Sequence, residues 1–279
     1  MDEVDHPDKE HIMDIAGKVF VVTGGGNGIA RELVLQLLAK GATVAAVDLN
    51  ADGLKETAKL AGKGAKLSTH TLNITDRDKV MALPKAVITK HGQVDALVNV
   101  AGIIQPFVRV NDLEFDAIER VINVNLYGTI NTVKAFLPEL LKRPEGYIAN
   151  VSSMGGYAPV PGQTIYGATK AAVKLLTEGL HSELMDTNVH VTAIYPGAIE
   201  TNIAQNSGMA MPADMDAHEG NKFKMTSVNV AASTIIGAIE KNAYKVFIGS
   251  DAKTMDKLTR LMPEKAAALI YKQMKSLLG

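Results

Sequence analysis

The chain has no cysteine among its 279 residues. That excludes disulfides, thiolate metal sites and a cysteine nucleophile. It has almost no net charge, −1 at neutral pH, so nothing in the balance points to nucleic acid or an anionic membrane as partner. It lacks a long apolar run: no segment approaches the roughly 20 residues needed to span a bilayer. The acidic start, MDEVDHPDKEHIMDIAG, has no apolar stretch of signal-peptide length and reads as a polar leader over residues 1–16. A cytoplasmic protein is expected. No stretch rich in Pro, Gly or Ser divides the chain, and no repeat of solenoid period is visible. The seven histidines place no ligand pair on one helix face, so no metal site is expected.

What is present is an alternation. Apolar, β-rich runs at 18–24, 42–48, 65–74, 94–102, 147–153, 189–197 and 244–250 are separated by helical patterns. Those patterns cover 29–41, 51–62, 75–92, about 113–142, 164–187 and about 228–241. Pro84 falls inside the third and is expected to kink it. Continuous apolar strands joined by helices predict a single-domain α/β fold: a doubly wound, Rossmann-type, seven-stranded parallel sheet with helices on both faces, over 17–250. The irregular segments 103–112, 154–163 and 198–227 each follow a strand. They belong at the carboxyl edge, where such sheets bind ligands, and 198–227 reads as a substrate lid. Residues 251–279 continue as a helical extension broken at Pro263, which packs on its own subunit or a neighbour, closes the pocket, or lies on a membrane surface.

TGGGNGIA, residues 23–30, joins the first strand to the first helix. Glycines let the backbone turn sharply and approach a pyrophosphate, and the helix start offers free N–H groups. An ordinary tight turn looks the same. Asp48 ends the second strand, where a carboxylate can accept both adenosine ribose hydroxyls and repel a 2′-phosphate; capping a helix is its other use. Neither Asn27 nor Leu49 is basic, so NAD is expected over NADP.

Tyr166 and Lys170 lie four apart on one helix face. A nearby ammonium favours the phenolate of a tyrosine. The pair alone is a frequent chance pattern. Ser153 ends the fifth strand at the same sheet edge, and Asn125 interrupts the long helix with a residue that competes for backbone hydrogen bonds.

With TGGGNGIA, Asp48, NVAG (99–102), NVNLYG (123–128), NVSSMGG (150–156), YGATK (166–170) and YPGAIET (195–201) in register, the chain resembles a short-chain dehydrogenase/reductase from about Gly17 to Gly249. The resemblance implies Tyr166 as general acid or base on the alcohol or carbonyl oxygen and Ser153, rather than Ser152, as its partner. It implies Lys170 on the nicotinamide ribose, lowering the tyrosine pKa, and Asn125 holding a water that relays protons through Lys170. Pro196 and Gly197 would turn beside the nicotinamide, with Ile199 and Thr201 on its carboxamide; Asn73, Ile74, Asn99 and Ala101 would surround the adenosine, while Gly24, Gly26, Asn27, Gly28, Ile29, Asp48 and Leu49 complete the cofactor set. Three positions depart from the family pattern: Ala30 for the third glycine, Asn73 for an aspartate and Val100 for an asparagine.

Ile103, Ile104, Phe107, Met154, Tyr157, Val160, Met209, Met211 and Met215 suggest an apolar substrate pocket, with Gln163 its main polar member. An NAD-dependent oxidoreductase acting on a medium or bulky apolar alcohol or ketone is therefore expected. A cofactor-binding sensor, or a lyase or epimerase on the same fold, are the alternatives. By analogy the subunits form a homodimer or homotetramer, the helical stretches 113–142 and 164–187 pairing across a two-fold axis.

Overall fold

The computed structural model describes residues 13–201, 203–208 and 225–278. The sheet contains β1 (Val19–Thr23), β2 (Thr43–Asp48), β3 (Leu67–Thr71), β4 (Ala96–Asn99), β5 (Gly146–Val151), β6 (Val189–Pro196) and β7 (Lys245–Ile248). All neighbouring pairs are parallel, in the order β3-β2-β1-β4-β5-β6-β7. The expected seven-stranded sheet is therefore present. Its third strand is shorter than the sequence suggests, because only Leu67–Thr71 pairs with β2.

β1 explains why the strands read as unbroken apolar runs. Its five residues VFVVT are all buried. Phe20 and Val22 join one apolar cluster, and Val19 and Val21 join another on the opposite face. Successive strand side chains point to opposite faces, so a sheet covered on both sides needs apolar residues at every position. The covers are α1 (Gly28–Ala39), α2 (Ala51–Ala61), α3 (Arg77–His91), α4 (Phe115–Ile122), α5 (Gly128–Leu140) and α6 (Thr164–Glu183). A short α7 (Ile203–Asn206) and α8 (Val228–Glu240) follow. α3 runs on through Pro84, which is buried within it.

Residues 13–16, assigned above to the leader, are part of the folded body. Met13 and Ile15 are buried, and Met13 N donates to Glu240 O at 2.9 Å. The remainder of the leader, residues 1–12, lies outside the described residues. The C-terminal extension is helical, with α9 (Ser250–Leu261) and α10 (Pro263–Met274) separated before Pro263 as expected. It packs on its own subunit, burying Ala252, Ala266 and Ile270. Its final 3-10 turn, Lys275–Leu278, brings Leu278 Cδ2 to 3.2 Å from where a Cβ on Gly162 would stand. Among the described residues no helix is long and apolar enough to cross a membrane.

The single helix expected over about 113–142 is two helices joined by a π-helical turn, Asn123–Tyr127. Gly128 N reaches back five residues to Asn123 O. The wider turn aims the buried Asn125 inward, and Thr129 Oγ1 donates to the Asn125 carbonyl at 2.8 Å. Such π-turns occur often at functional sites.

Candidate active site

The strand order reverses direction at β1, which pairs with β2 on one side and β4 on the other. The two loops leaving the carboxyl ends of β1 and β4 diverge and leave a crevice. A cleft of about 470 Å³ lies there. It is lined by Gly24, Asn27, Gly28 and Ile29 from the glycine loop, Asp48 and Leu49 after β2, and Asn73 and Ile74 after β3. Ala101, Gly102 and Ile103 after β4 and Thr201 after β6 complete the wall.

The loop geometry requires its glycines. Gly24 has φ +79° and a Cβ there would sit 3.1 Å from the Ala101 backbone. Gly28 has φ +53°. A side chain at either position would be strained. Asn27 caps α1, its Oδ1 accepting from Gly28 N. Asp48 is fixed: Oδ2 accepts from Gly26 N at 2.9 Å and Oδ1 from Asn50 N at 2.8 Å. Among the described residues of this lining Asp48 is the one acidic group and Arg120 the one basic group. Arg120 comes from α4 and donates to Ser207 O. Sequence reasoning missed Arg120, because only the tertiary fold brings α4 to the cleft. The residues beside Asp48, Leu49 and Asn50, offer no cation for a phosphate. A dinucleotide fits this cradle.

Not every expected cofactor residue lines the cleft. Asn99 is buried, its Nδ2 donating to Asn150 Oδ1 at 2.9 Å and its Oδ1 accepting from Thr132 Oγ1 at 2.8 Å. Its side-chain amide is engaged in the interior and supports the carboxyl end of β4. Asn73 and Ile74 do line the cleft, although Asn73 Oδ1 already accepts from Thr75 N at 3.0 Å. Of Pro196, Gly197, Ile199 and Thr201, Thr201 is the one on the described lining. Pro196 ends β6, Gly197 N donates to Ile248 O at 2.9 Å, and Ile199 bridges to Thr226.

Of the four polar residues singled out, Lys170 and Asn125 approach the cleft at Gly102, and Tyr166 lies beside Lys170. A Cβ on Gly102 would lie 3.1 Å from Lys170 Nζ and 3.2 Å from Asn125 Oδ1, so the ammonium and the amide flank one cleft-lining glycine. Asn125 clamps the main chain of Ile103 reciprocally: Oδ1 accepts from Ile103 N and Nδ2 donates to Ile103 O, both at 2.9 Å. Lys170 is buried on α6. Nζ donates to Val151 O at 3.0 Å and stands 5.9 Å from the centre of the Tyr166 ring. Burial lowers its pKa to about 8.

Ser153 stands beside Tyr166: a Cβ on Gly155 would lie 3.5 Å from Ser153 Oγ and 3.3 Å from the Tyr166 ring. Burial raises the phenol above its ordinary value, and the Ser153 hydrogen bond opposes this. In the protein alone burial wins, because desolvating a phenolate costs more than a hydrogen bond returns. Ser152 is buried and donates to Lys170 O at 2.7 Å, so it is structural, as its position suggested. The glycines of SSMGG let this loop press on α6. A Cβ on Gly156 would meet the Lys170 carbonyl carbon at 2.8 Å, and one on Gly155 the Tyr166 ring at 3.3 Å.

Two residues expected at the substrate have partners within the protein. The Tyr157 hydroxyl donates to Ala252 O in α9 at 2.8 Å, and its ring packs edge-on against Tyr195 and Phe247. Gln163 is buried, with Nε2 donating to Gln105 O at 2.7 Å, because it opens α6 against the segment after β4. Ile104 is half-buried, its N–H donating to Ser207 Oγ, and Met154 starts the 3-10 turn after Ser153. Met209, Met211 and Met215 lie outside the described residues. Among the described residues no group of three or more acidic or histidine side chains could hold a metal. His70 and His91 do meet, both on the Ser68 hydroxyl, a pairing the sequence spacing did not disclose.

Comparison with known proteins agrees with this geometry. The chain is 38% identical over 252 residues to SadH of Mycobacterium tuberculosis, a protein named an oxidoreductase, covering 88% of this chain and 91% of the relative. A Burkholderia phymatum short chain dehydrogenase/reductase solved with NAD superimposes with a TM-score of 0.80 at 23% identity, covering 90% of this chain and 96% of that one. A Burkholderia cenocepacia short chain dehydrogenase solved with NADP gives 0.77 at 26% identity, covering 92% and 99%. Residues 18–211 match the short chain dehydrogenase family itself, and the chain belongs to that family of oxidoreductases with an NAD(P)-binding Rossmann fold.

Proposed function

We propose that the protein is an NAD-dependent oxidoreductase that interconverts a secondary alcohol and its ketone. The observation that carries this reading is the placement of Ser153 beside Tyr166, with Lys170 one turn along the same helix and next to the cleft-lining Gly102. Gly24, Gly26, Asn27 and Gly28 would cradle the pyrophosphate at the start of α1, and Asp48 would take the adenosine ribose hydroxyls. The fixed carboxylate of Asp48 disfavours a 2′-phosphate, which supports NAD over NADP.

When bound, NAD supplies the hydride acceptor or donor. Tyr166 takes the hydroxyl proton of the alcohol, or returns it to the carbonyl oxygen. Ser153 donates a hydrogen bond to the same oxygen and orients it. Lys170 holds its charge in a buried position, where a cation favours the phenolate more than in water. Asn125 fixes Ile103 and stands beside Lys170, placing its carbonyl oxygen where a water could pass protons to and from the ammonium.

The side chains of Ile103, Ile104, Phe107, Met154 and Val160 favour an apolar substrate of medium size. The exposed Phe115 on α4 and Leu175 on α6 favour pairing of these helices in a homodimer or homotetramer. The test follows NADH absorbance with a panel of secondary alcohols and ketones, NADP in parallel. Turnover with cyclic or aryl alcohols that Tyr166→Phe loses is the expected result. Tight NAD binding without turnover of any member would instead favour a sensor.

A further inference from the structure

The helix that carries Tyr166 and Lys170 begins without a cap of its own. Gln163 precedes α6 and makes no side-chain hydrogen bond to its first turn. The first N–H groups of a helix have no partner within it and need one from elsewhere. Here the partner comes from about sixty residues upstream: Gln105 Oε1 accepts from Ile165 N at 2.8 Å and Tyr166 N at 2.9 Å. Gln163 closes the loop by donating to Gln105 O at 2.7 Å. Gln105 is fully buried. Nothing in the sequence around it marks it as functional.

We infer that Gln105 is a positioning residue for Tyr166, and that it must be neutral to serve the proposed chemistry, on which this inference rests. One carbonyl oxygen fixes the main chain of the tyrosine itself, so it sets where the phenol stands relative to Ser153. The other half of the amide is costly. Gln105 Nε2 and Gln163 Oε1 are buried with no hydrogen-bond partner. An orphaned buried donor is unfavourable. A glutamate at 105 would accept from both N–H groups and leave no donor stranded. It would also put a negative charge beside a phenol that has to ionise, raising its pKa further. The amide therefore trades stability for electrical neutrality next to Tyr166.

Three readouts test this on the full-length protein. In Gln105→Leu, amide exchange at Ile165 and Tyr166 should accelerate at least tenfold, kcat should fall at least tenfold, and NAD affinity should stay within about twofold. In Gln105→Glu, protection of both amides should persist, while the pH limb of alcohol oxidation moves to higher pH. If Gln105→Leu does not fold, Gln105→Met replaces it, since it also lacks an amide oxygen. Parental kcat and pH limb in folded variants, whatever their melting temperature, would overturn the inference. Unchanged amide exchange in the Leu or Met variant would overturn it too. The exchange readout needs no turnover, so failure of the alcohol–ketone reading itself, seen as an inactive parent, is distinguishable from failure of the clamp.

Discussion

Asp251, near the start of α9, holds the loop that follows β6: its Oδ2 accepts from Ala198 N at 2.7 Å. A Cβ on Gly197 would fall 2.2 Å from that same oxygen, so carboxylate and glycine fit only together. At the next residue, Ala252, the carbonyl oxygen accepts from the Tyr157 hydroxyl and ties the Ser153 loop to the same helix. The C-terminal extension thus braces two of the loops that frame the candidate site. Removing one partner of a charge-assisted hydrogen bond leaves the other unsatisfied, at about 1–3 kcal/mol. Asp251→Ala should therefore lower the melting temperature and weaken NAD binding up to roughly tenfold. Asp251→Asn, which can still accept, should do less. Calorimetric titration with NAD measures both.

Tyr166→Phe should reduce turnover at least on the order of 100-fold, the usual scale for a lost general acid or base. NAD affinity should stay near parental, because the ring remains. An active Phe variant would refute the assignment.

Ser153→Ala should act through pH as well as rate. The Ser153 hydrogen bond opposes the rise that burial imposes on the Tyr166 phenol. Without it the phenol binds its proton more tightly. The limb of alcohol oxidation that needs the phenolate should move to higher pH, read from kcat/KM profiles.

Asp48→Ser should relax cofactor choice toward NADP by removing the charge that repels a 2′-phosphate. It should also loosen the glycine loop, since Asp48 Oδ2 no longer receives Gly26 N. Affinity for NAD should fall while that for NADP rises, seen by titrating each in turn. A fall in both by the same factor would give Asp48 a purely structural role.

Lys170 makes stability depend on pH with a definite sign. Its pKa falls from 10.5 to about 8 on folding. Between those values the unfolded chain holds a proton that the folded one has released, so stability rises with pH over that window. Below about 8 both states are charged and the burial penalty is constant. In urea melts from pH 7 to 10.5, the parent should gain on Lys170→Met from pH 8 upward. A flat difference would show that the lysine is charged throughout.

The fold was largely legible in the sequence because a doubly covered sheet imposes unbroken apolar strands such as VFVVT, and glycine marks where strands hand over to helices. Asn125, Ser153, Tyr166 and Lys170 were singled out by residue type and spacing; the tertiary structure sets Asn125 and Lys170 beside Gly102, and Ser153 and Tyr166 about Gly155. Sequence pattern could also suggest that Asn125 disturbs its helix, though not that the helix opens into a π-turn. Directions of side chains were another matter. Tyr157 and Gln163 lie in the right loop, yet one turns to α9 and the other to Gln105. Asn99 sits at the right strand end, yet its amide goes inward to Asn150 and Thr132. Gln105, Arg120 and Asp251 had no local signal, since each acts on a backbone distant in sequence. By itself, then, the sequence determined the layering of the fold and which groups can do chemistry, because both depend on periodicity and residue type. Which polar groups are free to meet a ligand was decided only by the tertiary structure, because a buried donor or acceptor takes whatever partner the packing brings within reach.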